Sequence, residues 1–142
     1  MKKVVAIILA LCTLCLAGCG KILELQQELE EMAALTEKFS SALASNDSEK
    51  MEECIHPDAQ ISEETIFQTI EYFEQKNNVD PSKGVELKRV SDFERTSNDS
   101  ELSGNVYNAT CELLVGGVPV NVALTILNND AGCGLYYFEI VE

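Results

Sequence analysis

From residue 22 onward the apolar positions change period once along the chain, from the three-and-four spacing of helices to the alternation of strands. Ile22, Leu25, Leu29, Met32, Leu35, Phe39 and Leu43 fall on one helical face, and Glu24, Glu28, Glu30 and Glu31 fill the outward positions. This pattern predicts a long amphipathic helix ended by "SNDSEK", with residues 19–30 serving as anchor and tether or as the start of the helix. Asn46, with Glu49 three residues on, predicts the cap of a short second helix carrying Met51, Cys54 and Ile55. His56 closes it, because the residue before Pro57 avoids the helical region. "ISEETIFQTIEYF" predicts a third helix in which Ser62 is the N-cap, Glu63 and Glu64 suit the positive end, and Ile61 staples against Ile66. Ile66, Ile70 and Phe73 share its buried face.

"NNVDPSKG" breaks the helical pattern, and four strands are predicted after it: Val85 to Phe93, Leu102 to Val115, Val118 to Leu127 and Leu135 to Val141. Gly116-Gly117 reads as a two-residue hairpin turn, since glycine supplies the positive φ such turns require. That turn fixes a register: Val115 with Val118, Leu113 with Val120, Cys111 with Val122, Ala109 with Leu124 and Tyr107 with Ile126. Every one of these residues is apolar or aromatic. The alternate pairs, Glu112 with Asn121, Thr110 with Ala123 and Asn108 with Thr125, are mostly polar, so one face of the hairpin is buried and the other wet. In the last strand Tyr136, Phe138 and Ile140 are the expected core face, which turns Cys133 to the opposite side. Helices followed by an antiparallel meander give an α+β domain over residues 31–142, its N-terminal helices packed on one face of a curved sheet of about four strands.

The segment before the first helix follows a different rule. Lys2 and Lys3 precede a run of small and aliphatic residues from Val4 to Gly18, interrupted only by Thr13 and two cysteines. As a helix this run spans roughly 22 Å at about 1.5 Å per residue, short of the roughly 30 Å core of a bilayer. A basic start, an apolar middle and a small-residue site form the layout of a secretory signal, residues 1–18. Leu16-Ala17-Gly18-Cys19 resembles the lipobox of bacterial lipoprotein precursors. That resemblance implies cleavage between Gly18 and Cys19 and a diacylglyceryl group on the Cys19 sulfur, with membrane lipid as the partner of the anchor. Two acyl chains anchor stably where one does so only marginally.

Loss of the signal would leave 124 of the 142 residues and remove two lysines but no acid, taking the formal charge from −14 to −16. Such a surface repels nucleic acid and anionic lipid; it reads first as a well-hydrated surface, and any electrostatic partner would be cationic. Cys12 and Cys15 would depart with the signal, so "CTLC" is no redox or metal site in the processed chain. Cys54, Cys111 and Cys133 remain, an odd set without zinc spacing, and His56 is the sole imidazole. All three thiols are expected to be free. Neither acid-rich "SNDSE"-type stretch has the twelve-residue calcium-loop pattern, so no metal and no cofactor is expected. The sequons at Asn46, Asn98 and Asn108 carry little weight in a bacterial lipoprotein.

The order of elements over residues 30–142 resembles the nuclear-transport-factor-2-like and cystatin-like lipoproteins of bacteria, through the helix ending "FSSALASND", the "IHPD" after the short helix and the final "LYYFEI". The resemblance implies a curved sheet wrapped around helices as a cone, often holding a pocket. Two sets of residues bear on catalysis. Cys54 and His56 are near in sequence, but i and i+2 do not share a helix face, so a buried cysteine and a loop histidine are expected instead. Tyr107, Tyr136 and Tyr137 would need a carboxylate aimed into an apolar cavity to act as an acid–base site. Glu112 falls on the polar face and Glu139 near the sheet end, while Glu86 and Asp92 lie on a strand of unassigned register. The expected role is a lipid-anchored extracytoplasmic module binding a small ligand, a peptide or an envelope protein; the alternatives are a pocket enzyme of the same superfamily and a structural envelope lipoprotein.

Overall fold

Three helices precede a four-stranded antiparallel sheet in the computed structural model, which describes residues 22–141. The first helix, α1 (Ile22–Ser45), buries Met32, Phe39, Ala42 and Leu43 along one side. It ends where Asn46 adopts a left-handed φ of 50°. There the Asn46 N–H donates to the Leu43 carbonyl at 3.3 Å and the Asp47 N–H to that of Ala42 at 3.0 Å, the paired bonds of a Schellman ending. Asn46 therefore stops the first helix and does not start the second. Asp47 is the N-cap of α2 (Ser48–Glu52), its Oδ1 accepting from the Lys50 N–H at 3.1 Å. In α3 (Glu63–Lys76) the expected cap is present, with Ser62 Oγ accepting from the Thr65 N–H at 3.2 Å. Ile66 and Ile70 are buried and Phe73 packs against the core.

The sheet is a curved, unclosed meander of β1 (Val85–Asp99), β2 (Gly104–Val115), β3 (Val118–Asn129) and β4 (Gly132–Val141). The β2–β3 ladder has the register set by Gly116-Gly117, including Cys111 with Val122 and Tyr107 with Ile126. Leu113, Val115 and Val122 are fully buried on its inner face, against the helices.

Two strands depart from expectation. β1 continues six residues past Phe93, because Glu94, Arg95 and Thr96 pair with Asn108, Tyr107 and Val106 although their own sequence is polar. β4 carries an extra residue: Thr125 pairs with Tyr137 and Ile126 with Leu135, leaving Tyr136 unpaired as a bulge. Leu135, 3% exposed, takes the core place expected of Tyr136, and the shift turns Cys133 back toward the core instead of away from it.

A short segment after α2 adds to the edge of β4. The Leu135 N–H donates to the Cys54 carbonyl at 2.7 Å and the His56 N–H to the Leu135 carbonyl at 2.9 Å, a parallel bridge centred on Ile55. Gly134 permits this approach, since a Cβ there would lie 2.5 Å from the His56 nitrogen.

Candidate functional site

The strongest polar constellation on the sheet's inner side joins α1 to β1 and β2. Glu28, one turn before the buried Met32, points its carboxylate at the sheet. Tyr107, 1% exposed, donates its hydroxyl to Glu28 Oε2, and Arg95 Nη2 donates to the same oxygen at 2.9 Å. Asn105 Nδ2 donates to Oε1 at 2.8 Å. Arg95 closes the cluster, its guanidinium carbon 5.7 Å from the Tyr107 ring centroid, with Phe93 packed at 6.0 Å on the same ring. Glu28 was expected among the outward acids, and the structure corrects this. The signal that locates it is spacing: residue 28 stands four before Met32 and seven before Leu35, inside the apolar stripe.

The electrostatics follow from this packing. Burial alone would raise the Glu28 carboxyl, but the hydrogen bonds from Tyr107 and Arg95, Arg95's charge and the Asn105 bond outweigh it and hold the group below its ordinary value. The Tyr107 hydroxyl is pushed up to about 12, by burial first and by the adjacent carboxylate second. A carboxylate filled by three donors is a poor base, and a phenol pushed upward is a poor acid. The arrangement docks the front half of α1 on the sheet.

The Cys54–His56 segment is likewise spent on structure. Cys54 is fully buried, its Sγ donates to the Lys50 carbonyl at 3.2 Å, and burial pushes the thiol up to about 11. His56 lies in the loop after α2, as expected, and is buried there, 1% exposed. Its Nδ1 accepts from the Asp58 N–H at 3.0 Å, so Nε2 carries the hydrogen and faces Asn129 Oδ1 at 3.0 Å and the Gly132 carbonyl at 3.2 Å. The ring pins the loop after α2 to the β3–β4 turn.

Glu112 pairs with Arg89 at 3.2 Å, Glu139 accepts from Tyr137, and Glu86 and Asp92 are exposed. Cys54, Cys111 and Cys133 are free thiols. Among the described residues no group of three acidic, histidine or cysteine side chains could hold a metal, and no helix is long and apolar enough to cross a membrane. A cleft of about 980 Å³ opens between the end of α1, α3 and the turn before β1, with Phe67 and Ile70 in its lining and Glu63, Glu64, Glu71 and Glu74 around it. The expected lipidation at Cys19 and cleavage after Gly18 lie outside the described residues. None of the family models, curated proteins or solved structures compared with the chain matches it.

Proposed function

We propose that this protein is a bacterial lipoprotein, anchored through a diacylglyceryl group on Cys19 to the extracytoplasmic face of a membrane, whose domain serves as an interaction module of the cell envelope. The observation that carries the reading is Leu16-Ala17-Gly18-Cys19, placed directly after a basic and apolar leader and directly before an acidic, amphipathic helix. The α+β order agrees with the resemblance to the nuclear-transport-factor-2-like and cystatin-like lipoproteins. The inner side of the sheet supports binding over catalysis: its apolar residues pack on one another, and its acid, phenol and imidazole are consumed in internal hydrogen bonds. Among the described residues no buried side-chain nitrogen or oxygen is left without a partner.

Cys19→Ala tests this directly in cells fed a labelled fatty acid. The wild-type chain should carry the label and begin at residue 19, and the variant should lose the label and retain its leader. A variant that still takes up label and begins at residue 19 refutes the assignment.

A further inference from the structure

The sheet has two edges, and the chain treats them differently. β1 carries irregular pairings at Leu87/Arg89, Ser91/Phe93 and Thr96/Asp99, a left-handed Asp92 with φ 48°, and exposed Glu86, Lys88, Arg89 and Glu94. Kinks and charges of this kind keep foreign strands from adding to an edge. Beyond the bulge at Tyr136, the second half of β4 pairs regularly with β3, and among its described residues Glu139 is the one charge.

The first half of the β4 edge is occupied, since Leu135 turns both its N–H and its C=O outward to the Cys54–His56 segment. In an antiparallel ladder every second residue repeats that orientation, and the bulge at Tyr136 moves it to Phe138 and Ile140. Among the described residues no backbone hydrogen bond from outside the ladder reaches these two. Beside them a trough of about 240 Å³ runs between β4 and α3, with Phe138 and Ile140 on one side and Tyr72 and Phe73 on the other, and with Lys76 at its border. Tyr72 is 65% exposed. On the outer face Tyr137, Glu139 and Val141 are exposed, and the Tyr137 hydroxyl donates to Glu139 at 2.6 Å.

An extended strand with outward donors and acceptors is complementary to one kind of backbone, another extended strand. A second copy of this chain fits poorly. The twofold pairing that engages Phe138 and Ile140 of both copies sets Glu139 directly against Glu139, and like charges in that position destabilise. Each copy also brings a formal charge of −14. A strand from another protein removes the conflict when it places Lys or Arg opposite Glu139 and an apolar side chain over the trough.

We infer that the open half of β4, Phe138 to Val141, is a strand-addition site for an extended, basic segment of a partner protein. The inference deepens the interaction-module reading and rests on it for the existence of a partner. It does not require acylation of Cys19, so loss of the acyl label and loss of strand binding are separate results.

The test uses the full chain and three synthetic peptides: alternating lysine and valine, alternating glutamate and valine, and the lysine–valine peptide with a central proline. Amide hydrogen exchange at Phe138 and Ile140 is the readout. The lysine–valine peptide should slow both amides by about tenfold or more, and the other two peptides should leave them unchanged. In Glu139→Lys, a change on the exposed face with folding checked by circular dichroism, the preference should pass to the glutamate–valine peptide. Unchanged exchange with the lysine–valine peptide overturns the inference, as does equal binding of the proline-interrupted peptide, which would mean charge attraction without strand pairing. Slowing that follows protein concentration with no peptide present overturns it in favour of a second copy.

Discussion

The contact between Glu28 and Tyr107 can be measured by a double-mutant cycle of Glu28→Ala and Tyr107→Phe. Tyr107 is 1% exposed, so its hydroxyl has no water to turn to when Glu28 is removed. A hydrogen bond to a charged group nets about 1.5–3 kcal/mol, and stranding a buried donor costs a comparable amount. Arg95, whose side chain is 31% exposed, keeps access to solvent and adds little. Glu28→Ala should therefore lose about 2–3 kcal/mol and Tyr107→Phe about 1–2 kcal/mol. Their coupling should be about 1.5 kcal/mol, within the usual range for residues in contact. The chain has no tryptophan, so urea unfolding followed by far-ultraviolet circular dichroism is the suitable assay. Coupling below about 0.5 kcal/mol would refute the docking of Glu28. Acidification gives a second check. The folded-state pKa of Glu28 lies below its ordinary 4.5, so its contribution is present in full above that value and is lost as pH falls through the lower, folded value. The stability gap between wild type and Glu28→Gln should hold steady at neutral pH and close below 4.5; a gap that persists unchanged into acid contradicts the assignment.

Two further outcomes test the sheet. Val122 is fully buried opposite Cys111 while its neighbour Asn121 is exposed, so Val122→Asp should unfold the domain and Asn121→Asp should leave its urea midpoint nearly unchanged; equal losses would contradict the register. Burial pushes the Cys54 thiol up to about 11 and the Cys111 thiol up to about 12, so neither should react with a maleimide before unfolding. Cys133 is half-buried, and burial with the nearby Glu31 and Glu28 raises it to about 11, so it should react first yet well below the rate of an open thiol. A disulfide-linked peptide in the non-reduced digest would show the strand order to be wrong.

What the sequence revealed, and what it hid, divides by how locally each feature is specified. The β2–β3 register was legible because one glycine pair and ten apolar residues fix it within a single hairpin. The bulge in β4 left a trace that strict alternation passes over: the core residues Leu135, Phe138 and Ile140 stand three and then two apart, and the gap of three marks the added residue. The second half of β1 was hidden because its strand state comes from pairing with β2 and not from its own polar side chains. At the junction of α1 and α2 the neighbours Asn46 and Asp47 both suit a cap, and the choice is made by the backbone, which gives the left-handed turn to Asn46. Glu28 was hidden because apolarity alone assigns a helix face, whereas its partners Arg95, Asn105 and Tyr107 come from strands far along the chain. The loop position of His56 was legible from Pro57, but its burial was not, because Asn129 and Gly132, more than seventy positions away, are what enclose its ring.

The docking of Glu28 on the sheet sets a limit on reach. From Cys19 to Ile22 the chain has three steps, at most about 11 Å whatever their conformation, and six residues of helix add about 9 Å before Glu28 is held. On the proposed anchoring, the domain is moored within roughly 20 Å of the lipid surface, without the slack of a flexible linker. A partner embedded in or lying on the same membrane would meet it at the high effective concentration of a short leash. A partner elsewhere in the envelope would have to come to it. Lengthening the leash between Cys19 and Ile22 would then be a way to change which partners are met while leaving every contact of the domain intact.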